Sequence, residues 1–114
     1  MATGSIPETD LALIERYCAN AVPAEVRAEV RVEHHRRGLS VTLCETRPLW
    51  AGDGEWTHVG IAQLRYRPAT SDWSLHWADR NGRWHPYDMG NVQFGTLAEL
   101  LAEIERDPTG IFNG

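Results

Sequence analysis

Residues 73–88, WSLHWADRNGRWHPYD, constrain the fold more than any other part of this sequence. At their centre is Asn81-Gly82, a dipeptide that accepts the two positive φ angles of a type I′ turn, and side chains of alternating character flank it. With Asn81 and Gly82 as the two loop residues, Ala78 lies opposite His85. The stretch therefore predicts a β-hairpin and, with it, an antiparallel sheet.

Alternation along this hairpin divides its side chains between the two faces of the predicted sheet. One face is apolar and is expected in the core: Trp73, Leu75, Trp77 and Trp84. The other face is polar: His76, Arg80, Arg83, His85 and Tyr87.

Three more strands are predicted before the central hairpin. From Glu25, valine and alanine alternate with charged residues, and His34 and His35 continue the alternation, which predicts a strand through residue 35. A turn at Arg37-Gly38 leads into a return strand, residues 39–46, and sets His34 opposite Val41. A further strand, residues 59–67, is expected to pair with the start of the central hairpin through a turn at residues 69–72. Its register sets Tyr66 opposite Leu75 and adds Arg65 and Arg67 to the polar face.

Helices are predicted at both ends of the chain. Ser5 and Glu8 have the spacing of a capping box, and apolar residues at helical spacing follow to about Ala21. Thr96 and Glu99 form a second capping box, ahead of a helix that ends at residues 107–108. We therefore predict one α+β domain over residues 1–114, with two layers: a five-stranded antiparallel meander and an N-terminal and a C-terminal helix packed on one face.

Charge and composition limit the functions that this chain can have. The formal net charge is −5, with the acidic excess at the two ends, which argues against a purely electrostatic nucleic-acid binder. No apolar run approaches a membrane span, and the first residues lack the features of a signal peptide, so we expect a cytoplasmic protein with no membrane partner. Cys18 and Cys44 have neither metal-ligand nor redox spacing and are expected to be buried free thiols.

Several segments together resemble a known family. They are RVEHHRRG at 31–38, ETRPLW at 45–50, EWT at 55–57, IAQLRY at 61–66, the W-x-L-x-W-x-DRN run at 73–81 and LLAEIERDPTGIF at 100–112. In these the chain is similar to the short bacterial proteins grouped as domain of unknown function 3024, over nearly its whole length. The resemblance supports the predicted fold and implies no activity, cofactor or catalytic residue.

The polar face is the first candidate for a binding site. It collects Arg65, Arg67, His76, Arg80, Arg83, His85 and Tyr87. Guanidinium groups bind phosphate bidentately, and an open sheet with arginine and aromatic side chains suits single-stranded nucleic acid or another anion. An ordinary solvated face explains the same pattern, because alternating charges also prevent aggregation. We interpret the protein as a non-enzymatic binding module for an anionic partner.

Two alternatives concern a protein partner and an enzyme. Residues 47–58 have no period and contain Trp50 and Trp56, which either cover an end of the core or contact another protein as a regulatory or scaffold module. A hydrolase or nuclease would use His76 or His85 as general base, with an arginine stabilising negative charge. This alternative requires both imidazoles on one face.

A metal site is not expected from the pattern. His34 and His35 are adjacent on a strand and point to opposite faces, so they cannot share one ion without a bulge. His76 and His85 could share a face, but no third ligand is identified with them. We therefore predict no catalytic residue, no metal and no cofactor.

Overall fold

The computed structural model describes residues 5–26, 28–48, 56–88 and 92–112, which form an antiparallel sheet with a helix from each end of the chain. The elements are α1 (Glu8–Asn20), a 3₁₀ turn (Ala24–Val26), β1 (Arg31–Arg37), β2 (Ser40–Pro48), β3 (Trp56–Arg67), β4 (Asp72–Ala78), β5 (Trp84–Pro86), β6 (Phe94–Gly95) and α2 (Leu97–Arg106). The strand order β1-β2-β3-β4-β5 is the predicted meander, and the α+β prediction is confirmed.

One face of the sheet packs on the helices and forms the core. The sheet supplies Val41, Leu43, Ala62, Leu64, Trp73 and Leu75, all of them fully or almost fully buried. The helix α2 supplies Leu97, Leu100, Leu101 and Ile104, whose spacing places them on one stripe, and α1 supplies Ile14. A short strand, β6, was not predicted; it pairs with β4 beside β5.

Of the two predicted capping boxes, the structure has only the second. At α2, Thr96 Oγ1 accepts from the Glu99 amide and Glu99 Oε1 accepts from the Thr96 amide, so this capping box is confirmed. At α1 the prediction is wrong, because Pro7 is the N-cap and no side chain caps the helix. The Pro7 carbonyl accepts from the amides of Asp10 and Leu11 instead.

The first predicted strand begins six residues too early. Residues 24–26 form a 3₁₀ turn, in which the Pro23 carbonyl accepts from the Val26 amide, and the Val26 carbonyl then accepts from Glu29 and Val30. The strand starts at Arg31, opposite Thr46 of β2.

All three predicted hairpin registers differ from the observed ones, but only one of these differences moves side chains to the other face of the sheet. His34 lies opposite Leu43 rather than Val41, and Leu64 rather than Tyr66 lies opposite Leu75. Each of these is a slip of two residues, which leaves every side chain on its predicted face because side chains alternate with a period of two.

The central hairpin slips by one residue, and this reverses the faces of β5. Trp84 lies opposite Ala78, and His85 lies opposite Trp77. The cause is the loop, in which Asp79 Oδ1 accepts from the amides of Asn81 and Arg83 and only Gly82 has a positive φ, of 80°. This is a three-residue loop with a glycine bulge rather than a type I′ turn.

The described part of the C-terminal tail docks on the body of the protein. Phe112, in the C-terminal tail, is 8% exposed, and its ring centroid lies 5.0 Å from that of Tyr87. None of the helices in the described ranges is long and apolar enough to cross a membrane.

Candidate functional site

The face of the sheet away from the helices, here called the open face, carries the polar side chains of the strands. One polar row of paired residues runs from β1 to β4, since His35 lies opposite Thr42, Thr42 opposite Gln63 and Gln63 opposite His76. By alternation from this row, the open face also holds Arg31, Glu33, Arg37, His58, Arg65, Arg67, Asp72 and Ser74. These paired strand residues place four arginines and two carboxylates on one face of a chain whose formal charge is −5.

The residues of the predicted polar face do not all lie on one face in the structure. Arg65, Arg67 and His76 lie on the open face as predicted. Arg80 and Arg83 are exposed residues at the turn between β4 and β5. His85 and Tyr87 lie on the covered face, so their assignment to the polar face is wrong, and so is the assignment of Trp84 to the core.

Tyr87 belongs to a buried polar contact with α2. Its hydroxyl donates to Glu103 Oε2 over 2.7 Å, and Arg106 Nη2 donates to Glu103 Oε1 over 3.0 Å. Burial and the hydrogen bond to Glu103 raise the pKa of Tyr87. This tyrosine therefore stabilises the join between sheet and helix and is not available to a ligand on the open face.

His85 packs against Trp77 and bonds to the loop carboxylate. The ring centroids of Trp77 and His85 are 4.8 Å apart, and His85 Nε2 lies 2.7 Å from Asp79 Oδ2. Hydrogen bonds from His85 and from the Arg83 amide hold the pKa of Asp79 below its usual range. Since His76 and His85 lie on opposite faces, the geometric premise of the hydrolase alternative is wrong.

A chain of hydrogen bonds positions Arg65 at the centre of the open face. Gln63 Nε2 donates to Thr42 Oγ1 over 3.1 Å, and Arg65 Nε donates to Gln63 Oε1 over 2.7 Å. Within the described residues no hydrogen bond or ion pair engages the two Nη groups of Arg65. The guanidinium is exposed and held through one edge, which leaves its fork for an external acceptor.

His76 is buried although it lies on the open face. It is 7% exposed, Ser74 Oγ lies 2.8 Å from its Nε2, and its Nδ1 has no hydrogen-bond partner among the described residues. Burial, with the nearby Arg65 charge as a second cause, lowers the pKa of His76 to about 4. The imidazole is therefore neutral at physiological pH and adds no positive charge to the face.

Trp84 reaches across the sheet on the same face. A Cβ placed on Gly60 would lie 3.1 Å from Cη2 of the Trp84 ring, so the absence of a side chain at Gly60 makes room for the indole. The ring spans from β5 to β3, and this end of the open face is consequently lined by an aromatic surface rather than by water-exposed polar groups.

Two arginine side chains stack on aromatic rings at opposite ends of β3. The Arg31 Cζ atom lies 4.3 Å from the Trp56 ring centroid, and the Arg67 Cζ atom lies 4.0 Å from that of Phe94. Trp56 and Arg67 are the first and last residues of this strand. Phe94 is 46% exposed, whereas Trp56 is half-buried. Arg67 also makes a bidentate pair with Asp72, at 2.6 and 2.7 Å, which lowers the pKa of that carboxyl.

The predicted tryptophan loop is only partly within the described residues. Trp56 is not in a loop, since it begins β3 opposite Pro48. Trp50 lies outside the described residues. The protein-contact alternative therefore stays a prediction.

Sequence reasoning missed a group of three residues whose side chains could together hold a metal ion. Glu33, His35 and His58 bring one ligand atom each within 4.8 Å of one another. His58 was assigned to the loop, because the strand was predicted to begin one residue later. The register shows that it lies opposite Thr46 on the open face. The alternation of Trp56 and His58 with Thr57 and Val59 is the signal that could have extended the strand.

The two cysteines are free and half-buried. Burial raises the pKa of Cys18 to about 11, and burial and the nearby Glu33 raise the pKa of Cys44. Both thiols are therefore protonated at neutral pH. They are free as predicted, but they are half-buried rather than buried.

Comparison with known proteins supports the resemblance of the sequence segments. The family model described as Domain of unknown function (DUF3024) matches residues 4–114. No curated protein and no solved structure matches the chain. Because the family model covers almost the whole length, the chain belongs to the DUF3024 family of domains of unknown function.

Proposed function

We propose that this protein is a binding module that holds single-stranded nucleic acid on its open face. The observation that carries the proposal is the position of Arg65, whose Nε is fixed by Gln63 while its Nη groups are free of described partners. A guanidinium held in this way presents two parallel donors to a phosphate and loses little conformational entropy on binding.

The aromatic side chains on the same face support a nucleic-acid ligand over a small anion. Phe94 presents an exposed ring backed by the Arg67 guanidinium, and Trp56 presents a half-buried ring backed by Arg31. Single-stranded binding surfaces combine positive charge along the backbone with aromatic rings on which bases stack. From end to end β3 spans about 36 Å at the usual rise per residue, a track long enough for several nucleotides.

The shape of the site also favours single strands over a duplex. An open sheet is a shallow surface, on which unpaired bases can lie flat, whereas duplex DNA is usually read by an element that enters a groove. The overall negative charge restricts attraction to the open face, so we expect modest affinity with a clear dependence on salt.

The test is a fluorescence anisotropy titration with labelled oligothymidine and oligouridine of about 16 nucleotides, at several salt concentrations. Loss of one phosphate contact in Arg65→Gln should reduce the slope of log K against log salt by about 0.7. Arg16→Gln is the matched control, because Arg16 is an exposed arginine on α1, on the other side of the sheet.

A second pair of variants tests the stacking surface. Phe94→Ala should weaken binding by about 1–3 kcal/mol if a base stacks on the ring. Val59→Ala is its control, since Val59 is the other large apolar side chain that is exposed in the described ranges. Absence of binding below about millimolar at low salt would refute the proposal. An equal loss of affinity in the Arg65→Gln and Arg16→Gln variants would also refute the proposal.

A further inference from the structure

We propose that Glu33, His35 and His58 bind a divalent first-row transition metal ion, with Zn²⁺ as the ion that best suits the donors. Two imidazoles and one carboxylate are a ligand set found in zinc sites and in non-haem iron sites with open positions. This inference does not depend on nucleic-acid binding, although His58 lies on β3, along which the nucleic acid is proposed to lie.

The distances between the three ligand atoms are close to those that a metal requires. Glu33 Oε1 lies 3.8 Å from His35 Nε2 and 4.0 Å from His58 Nδ1. Around a tetrahedral ion with bonds of 2.0–2.2 Å, neighbouring ligand atoms are about 3.4 Å apart. Contraction by less than about 1 Å on each of these two edges, and by at most about 1.4 Å on the His35–His58 edge, which is no longer than 4.8 Å, completes the geometry.

The backbone explains how residues distant in sequence converge. Glu33 and His35 are two apart on β1, so they share a face, and His58 enters from β3 on the far side of β2. The two imidazole rings meet edge to face with centroids 6.2 Å apart. The side chains of Glu33, His35 and His58 are 37%, 59% and 54% exposed, so they can turn toward an ion without displacing the core.

Three protein ligands leave at least one coordination position for water or an anion. This is the open kind of site rather than the closed, four-ligand kind that only stabilises a fold. The ion would also join the edge strand β1 to β3 across β2, so that it should stabilise the folded state as well.

The experiment uses untagged protein freed of metal with a chelator. Zn²⁺ binding is followed by isothermal titration calorimetry and by the rise in Tm, and Co²⁺ serves as the spectroscopic probe of the ligands. We expect one ion per chain and a cobalt spectrum without a thiolate charge-transfer band. The same result is expected in Cys18→Ser/Cys44→Ser protein, which separates this site from adventitious binding by the thiols.

Variants of the three ligands identify the site. Glu33→Gln, His35→Ala and His58→Ala should each weaken Zn²⁺ binding by at least the 10–100-fold that is typical for loss of even an outer-shell partner. They should also abolish the Tm rise. The control is His34→Ala, because His34 neighbours a ligand in sequence but lies on the other face.

Three results would overturn the proposal. They are absence of one-to-one Zn²⁺ binding below about millimolar, ligand variants that bind like the wild type, and a thiolate band in the cobalt spectrum. Thermal unfolding followed by circular dichroism establishes that each variant is folded before its metal binding is compared.

Discussion

Burial of His76 should make the protein measurably less stable in mild acid. The imidazole is 7% exposed, and burial, followed by the charge of Arg65, lowers its pKa to about 4. In the unfolded chain a histidine has a pKa near 6.5. The unfolded state therefore binds a proton that the folded state refuses, and the free energy of unfolding falls as the pH drops from about 6.5 toward about 4.

The size of this effect follows from the two pKa values. Each pH unit within that window removes about 1.4 kcal/mol, because one proton separates the two states. Between about pH 7.5 and about pH 5 the His76 contribution should cost about 2 kcal/mol. Above about pH 6.5 the protonation of His76 should not change the free energy of unfolding.

Urea unfolding of the wild type and of His76→Gln at both pH values measures the effect. Glutamine is neutral and can keep a hydrogen bond to Ser74, so other titrating groups cancel in the difference between the two proteins. The wild type should lose about 2 kcal/mol more than the variant on acidification. If the two proteins lose stability in parallel, the inferred burial penalty is wrong. Arg65→Gln should recover only a small part of the loss, since burial is the larger cause.

Two further substitutions test contacts that the register created. Gly60→Val should destabilise the protein by about 1–3 kcal/mol in urea unfolding, because the new side chain meets the Trp84 ring. The same change should cost much less in Trp84→Ala protein, and an equal cost in both would show that the contact is unimportant. Glu103→Ala should cost about 1–3 kcal/mol, because the buried Tyr87 hydroxyl loses its acceptor. Glu15→Ala, on the exposed side of α1, should leave stability nearly unchanged, and a comparable loss there would contradict the explanation.

Side-chain alternation explains why the fold was predictable despite wrong registers. The hairpins β1–β2 and β3–β4 were each predicted two residues out, yet Val41, Leu43 and Leu64 still lie in the core. A slip of two preserves the faces, so the division into a covered and an open side depends on hydrophobic parity and not on the exact turn.

In the central hairpin the register error is one residue, so the predicted faces are not preserved. Asn81-Gly82 was interpreted as a two-residue loop, but the residue before Arg80 is an aspartate, whose side chain accepts two loop amides. Asp at the first position of a type I turn, followed by a glycine in the left-handed region, is the pattern of a three-residue loop. A loop with one residue more shifts the register by one, and His85 and Trp84 exchange faces.

The early start of the first strand had a signal that was available in the sequence. Valine and alanine alternate from residue 26, and alternation alone favours a strand. The predicted return strand spanned only residues 39–46, so the residues before about 29 had no partner for their backbone groups. A segment without a ladder takes local hydrogen bonds instead, and the 3₁₀ turn after Pro23 supplies them.

The metal-binding cluster could not have been found by spacing alone. Its ligands come from two strands that are separated by a third, and they converge only if β3 extends back to Trp56 and pairs with the end of β2. A bulge between Leu43 and Cys44 intervenes, with Ile61 as the extra residue, and without it His58 would fall on the covered face. That one irregularity determines whether the carboxylate of Glu33 lies near one imidazole or two, and hence whether three ligand atoms converge on the open face.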